Sequence, residues 1–188
     1  MRLIHATDRY SWLTIALHWT VVLLIVVTYA CVELHDAVGK DSELGNTLKA
    51  LHFSFGLTIL AITLLRLPIT FFSPTPRIYP LPPPWQVFLA KGMQLALYAF
   101  LVAVPLSGWL VLSSDSYRVA YFGWELPALM APSEAMAALL DDIHETAGTC
   151  GYALIGAHAV AALFHHYVVG DTTLIRMWPP AWRRHQDD

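Results

Sequence analysis

Residues 143–169, IHETAGTCGYALIGAHAVAALFHHYVV, decide the fold. The stretch is apolar and exceeds the about 20 residues that cross a roughly 30 Å hydrocarbon core, yet it contains His144 and His158. An imidazole in hydrocarbon must find a hydrogen bond, a proton path or a metal, so ionisable residues in such segments mark functional sites. The two are fourteen positions apart. At about 100° and 1.5 Å per residue they lie roughly 40° apart in azimuth and about 21 Å apart in depth. One helix face therefore carries imidazoles at two levels.

Working outward, residues 12–32, 48–67 and 87–112 also reach spanning length. The 188 residues are 56% hydrophobic and only 13% charged, with mean hydropathy +0.51, too apolar for an ordinary soluble domain. The expectation is an all-α integral membrane four-helix bundle, one transmembrane domain over residues 1–188. The N-terminal span is too long for a signal peptide and lacks a small-residue cleavage site. No nucleic-acid partner is expected; the surroundings are membrane lipid.

Orientation follows from Lys and Arg, which are retained on cytoplasmic flanks. Arg2, Arg9, Arg66, Arg77, Lys91, Arg176, Arg183 and Arg184 fall at one end, whereas the opposite loops hold only Lys40, Lys49 and Arg118. Both termini are thus expected to be cytoplasmic. The outer loops are acidic, with Glu33, Asp36, Asp41, Glu43, Asp115, Glu125, Glu134, Asp141, Asp142 and Glu145. The proline-rich run of residues 73–84 cannot be helical and reads as a stiff cytoplasmic connector. On the outer side, residues 121–140 read as a short interfacial helix. Trp12, Trp85, Trp178 and Trp182 at the inner boundary, with Trp109 and Trp124 at the outer, read as interfacial anchors. Cys31 and Cys150 read as small buried hydrophobes.

Span one runs outward with His18 at the inner level, and span two returns with His52 at the outer level. His52 is therefore expected to meet His144 near the outer surface, and His18 to meet His158 deeper. Two levels with two imidazoles each make two six-coordinate bis-histidine haem-iron sites. Small residues one turn beyond the ligands, Gly56, Ala147, Gly148, Ala161 and Ala162, leave room for a flat macrocycle, although small residues also simply permit close helix packing. A single such histidine more often packs or gates; four at matched depths favour haem. Zinc is the weaker metal reading, because no short-range Cys/His cluster occurs. His165, two turns beyond His158, is open to three roles: alternative inner ligand, proton relay or quinone-pocket residue, and plain interfacial histidine, with the second ranked first. His5, His35 and His185 read as solvated.

The pattern Ile15-Ala-Leu-His18-Trp19, Leu51-His52 with Gly56 and Leu65-Arg66-Leu67, Leu97-Tyr98, and Pro105-Leu-Ser-Gly108-Trp109 resembles the bacterial cytochrome b561 family. His144-Glu145, Gly156-Ala-His158, Leu163-Phe-His165-His166-Tyr167 and Gly170-Asp171-Thr-Thr-Leu174-Ile-Arg176-Met177 are similar to its C-terminal signature. The resemblance implies an inner-membrane protein with two b-type haems on His18, His52, His144 and His158, exchanging electrons with quinone. Some short members oxidise superoxide on the periplasmic side and reduce ubiquinone, which makes that oxidoreductase activity the leading expectation. Where many members carry histidines early in span three, this chain has Lys91 and Gln94, which retain hydrogen-bonding capacity toward a quinone carbonyl.

In this reading a one-electron donor reduces the outer haem, the electron passes to the inner haem, and two haems match single electrons to two-electron quinone reduction. Arg66, Arg77 or Arg176 is available to pair with the inner propionates. The acidic outer loops oppose attraction of an anion, so steering of superoxide would need Lys40, Lys49 or Arg118 beside the outer haem. Two other classes compete. An electron-transfer subunit serving another periplasmic redox partner would bind haem but ignore superoxide. A haem-free proton or metal transporter would be colourless.

Overall fold

The computed structural model describes residues 9–39, 42–115 and 119–179. His5, His185, Lys40, Arg118 and Trp182, like Arg2, Asp41, Arg183 and Arg184, lie outside the described residues. Four long helices form the molecule: α1 (Trp12–Val38), α2 (Glu43–Phe72), α3 (Pro84–Ser114) and α4 (Glu134–Phe164). A π-helical turn (His165–Val169) prolongs α4, and a 3-10 turn (Ile175–Met177) follows it. All four helices are long and apolar enough to cross a membrane.

Three of the four long helices begin where a serine side chain satisfies an orphan N–H group. Ser11 Oγ accepts from Thr14 N at 3.2 Å, Ser42 Oγ from Gly45 N at 2.9 Å and Ser133 Oγ from Met136 N at 3.4 Å. α3 instead opens on Pro84, whose missing N–H has no helical partner to lose. The helices outrun the spans expected from apolar content, and at the starts of α2 and α4 a serine cap lets the helix begin in polar sequence. α4 starts at Glu134 rather than at residue 143, adding turns with Asp141 and Asp142.

The interfacial helix expected over residues 121–140 is absent. In its place, β1 (Val119–Tyr121) and β2 (Trp124–Leu126) form an antiparallel hairpin in which Tyr121 pairs with Trp124. Its two turn residues, Phe122 and Gly123, both have positive φ, 46° and 88°, as the tight primed hairpin turn requires. The hairpin docks on α2: Phe122 N donates to Ser54 Oγ at 3.3 Å, and the Tyr121 and Thr58 hydroxyls are 3.2 Å apart. The alanines that favoured helix belong instead to the first turns of α4.

α1 packs along α2, α2 along α3 and α3 along α4, whereas α4 meets α1 chiefly through side chains, with Tyr29 Oη donating to Gly148 O at 2.6 Å. The small core joins Val21 of α1, Ile59 of α2 and Leu101 of α3. Only 6% of the most apolar stretch of α4 is buried against protein, so lipid or a bound group must cover the rest. Outward-facing aromatics such as Trp12 (74% exposed), Phe71 (83%) and Trp124 (78%) suit a lipid boundary.

The end of the bundle where α1 starts and α4 finishes, the inner end in the expected orientation, is laced together by polar contacts. The connector between α2 and α3 pairs with the chain after α4 through Tyr79 N to Thr172 Oγ1 and Thr172 N to Tyr79 O, both 3.0 Å. Arg176 Nη1 donates to Pro76 O, and Trp19 Nε1 donates to Met177 O at 2.8 Å. Both cysteine thiols are free; Cys31 is buried as expected, whereas Cys150 is exposed. Gly123→Val is expected to destabilise the fold by about 1–2 kcal/mol, because a side chain at that φ meets its own backbone. A lowered thermal unfolding midpoint of the detergent-solubilised protein checks this.

Candidate functional site

Two histidine pairs bridge the gap between α4 and the α1/α2 pair. His18 of α1 faces His158 of α4 with ring centroids 6.4 Å apart and planes at 75°. His52 of α2 faces His144 of α4 at 6.0 Å and 89°. The partners are those that depth along the helices selects. Two imidazole nitrogens each about 2.0–2.1 Å from one metal ion, with ring centres about 1.2 Å behind them, set the centroids about 6.5 Å apart. The His18–His158 spacing matches one iron between the rings, and the His52–His144 rings stand roughly 0.5 Å closer than that.

Backbone carbonyls orient the outer rings. His52 Nδ1 lies 3.2 Å from Thr28 O, and His144 Nδ1 lies 3.0 Å from Val104 O and 3.1 Å from Ser107 Oγ. Each Nδ1–H donates to its carbonyl, leaving Nε2 bare, the tautomer a metal-ligating histidine needs. Gly108 makes the outer cradle possible: a Cβ there would come within 3.0 Å of His144 Cε1. Gly56 and Gly148, one turn beyond His52 and His144, face open space. A cavity of about 390 Å³ reaches His144 and is also lined by Lys49, Phe53, Asp115, Glu134 and Asp141.

The inner pair is built differently. Arg66 Nη2 sits 3.1 Å from His18 Nδ1, and its guanidinium lies 5.8 Å from the Tyr98 ring centre. Buried guanidinium nitrogens without hydrogen-bond partners among the described residues collect at this end: all three of Arg9, and Nε of Arg66 and of Arg176. Such donors suit carboxylates like haem propionates. Of the three arginines expected to be available to propionates, Arg66 and Arg176 lie here and Arg77 is exposed on the connector, while Arg9 joins them unexpected. Three basic groups converging from the α1 entrance, α2 and the C-terminal turn carry no local sequence signal.

His165 opens the π-helical turn. Gly170, at φ 72°, turns the chain back, so Asp171 N donates to His165 O at 3.1 Å while His165 Nδ1 donates to Asp171 Oδ2 at 2.5 Å. The carboxylate is 1% exposed and the imidazole 21%. Burial pushes the Asp171 carboxyl up, but the bonds from His165 and from Thr173 N at 2.8 Å outweigh it and hold it below the usual carboxylate value. Burial likewise pulls the Arg176 guanidinium below its ordinary value. Lys91 and Gln94 are exposed early on α3 and make no hydrogen bond among the described residues. His35, expected in solvent, ties the end of α1 to the start of α2 through Gly45 O at 2.9 Å.

A four-helix membrane bundle with facing imidazoles at two depths is the architecture of a membrane haem protein. Residues 9–180 match the prokaryotic cytochrome b561 family, and the chain belongs to that family. It is 36% identical over 172 residues to cytochrome b561 homolog 1 of Escherichia coli K12, covering 92% of this chain and 98% of the relative. It is 34% identical over 171 residues, covering 91% and 96%, to the probable superoxide oxidase CybB of Yersinia pestis. It is 31% identical over 175 residues, again covering 91% and 96%, to cytochrome b562 of Cereibacter sphaeroides. Membership implies b-type haem and electron transport, and the protein is an inner-membrane oxidoreductase.

Because the folded state lowers the Asp171 pKa, the resulting stability is fully present above the ordinary value of 3.8 and is lost as pH falls through the folded value. Asp171→Asn is expected to flatten the pH dependence of the thermal midpoint in that acidic window and to leave its slope near neutrality unchanged.

Proposed function

We propose that the protein oxidises superoxide at the outer face of the inner membrane and reduces ubiquinone through two b haems, as one transmembrane domain over residues 1–188 with both termini cytoplasmic. His52 and His144 are the axial ligands of the outer haem; His18 and His158 are those of the inner haem. The observation that carries this reading is the spacing of both imidazole pairs, 6.0 and 6.4 Å, each within roughly 0.5 Å of what one six-coordinate iron sets. When bound, the haems supply one-electron carriers at two depths. The superoxide assignment draws on the Yersinia pestis relative, named a probable superoxide oxidase.

The chain's own groups handle charge and protons. Two superoxide ions each release one electron and leave as O2, while ubiquinone takes both electrons and two protons to become ubiquinol. Lys49, lining the outer cavity beside His144, supplies local positive potential for an anion. At the inner end, His165 relays protons: Asp171 holds its Nδ1–H, leaving Nε2 free to exchange a proton with water or a quinone oxygen. Lys91 and Gln94, exposed on α3, are within reach of a quinone head entering from lipid. Asp115, Glu134 and Asp141 around the same outer cavity favour a second reading, in which a cationic or neutral partner protein delivers the electron.

A pulse of superoxide given to purified protein with ubiquinone is expected to reduce the haems and yield ubiquinol without any partner. Haems that form but ignore superoxide would move the assignment to the second reading. Lys49→Ala should slow the superoxide reaction several-fold at low salt and little at high salt. His52→Ala and His144→Ala are each expected to remove the outer haem and spare the inner, and His18→Ala and His158→Ala the reverse. Gly108→Val should act like His144→Ala by displacing that ring. Haem per chain and the reduced-minus-oxidised spectrum read out all five variants.

A further inference from the structure

The two histidine pairs differ in the charge beside them, and that difference bears on which way an electron moves. At the outer pair, His52 and His144 donate Nδ1–H to the Thr28 and Val104 carbonyls. Such donation makes an axial imidazole more electron-rich and favours the oxidised metal. The adjoining cavity sets three carboxylates, Asp115, Glu134 and Asp141, against the one cation Lys49 among the described residues. At the inner pair the nearest charge is the Arg66 guanidinium, 3.1 Å from His18 Nδ1, half-buried in the span and leaning on the Tyr98 ring.

We propose that Arg66 sets the direction of internal electron flow by making the inner haem site the stronger electron acceptor of the two. A metal centre loses one unit of positive charge on reduction, so a nearby cation in a low-dielectric span stabilises the reduced form and nearby carboxylates destabilise it. The step moves one electron from the outer iron to the inner iron, with no bond made or broken and no proton required. Were His18 to hold iron through Nε2, its Nδ1 would carry the proton and the Arg66 hydrogen bond to it would give way. The Arg66 charge remains in the span, and its unpaired Nε is ready for an anionic partner. Arg66 is thus a positioning residue that acts on potential and not on substrate.

The inference rests on the two-haem reading above, and the test separates the two. Haem stoichiometry and a spectroelectrochemical titration are measured together on the full chain reconstituted with haem. Arg66→Gln is expected to lower the inner wave and leave the outer wave in place, shifting the electron partition between the sites at least tenfold, or about 59 mV for a one-electron couple. Arg66→Lys should restore most of the shift, and Arg77→Gln, on the exposed connector, should change neither wave. Should Arg66→Gln fail to hold haem, Asp141→Asn supplies the complementary arm, and its outer wave should rise while the inner stays. Two haems per chain with both waves unmoved, or moved equally, in these variants would overturn the role of Arg66 while leaving the dihaem assignment standing. One haem per chain would overturn both.

Discussion

The structure depends on the refusal of hydrocarbon to solvate an imidazole. Each of the four membrane histidines must have its polar atoms engaged by protein or metal. The fold meets this by holding α4 off α1 and α2 and letting His18, His52, His144 and His158 reach across the gap in pairs. A gap of that kind is unfavourable in an ordinary helical bundle, where close packing supplies the cohesion. A flat group seated between the paired rings would account for both their spacing and the sparse burial of α4 against protein.

Around that constraint the two ends of the bundle are finished in different ways. The outer end is closed by a hairpin resting on α2 and by carbonyls and Ser107 that hold the His52 and His144 rings. The inner end is a braid of the chain before α1, the proline-rich connector and the turn after α4, tied through Thr172, Arg176 and Trp19. Guanidinium groups gather there, and the π-helical turn presents His165 against a buried carboxylate. Neutral and acidic surroundings at the hairpin end and cationic surroundings at the opposite end give the bundle an electrical polarity along its long axis.

Much of this was legible before any coordinates. Helical periodicity fixes the azimuth of His144 and His158 on one rod, and hydropathy fixes their depth, so the pairing with His52 and His18 follows from arithmetic on single helices. The proline-rich connector was equally readable, because proline's missing donor acts locally. The outer loop was misread. Alanines mixed with acids and two prolines resemble an interfacial helix, whereas the deciding feature is the positive φ pair at Phe122-Gly123, which depends on strand pairing and on Ser54 and Thr58 of α2.

The sequence by itself determined that the chain crosses the membrane four times and that its histidines occur at two depths, because both properties are carried by residues close together along one helix. Only the tertiary structure decided which helices stand apart, which carbonyls orient each ring, and that Arg9, Arg66 and Arg176 converge on the inner end. Those are distances between residues far apart in the chain, and they are fixed by how α1 lies on α2 and α3 on α4. A guanidinium reads the same in sequence whether it snorkels to water or lies beside an imidazole in the span. Packing alone separates the two.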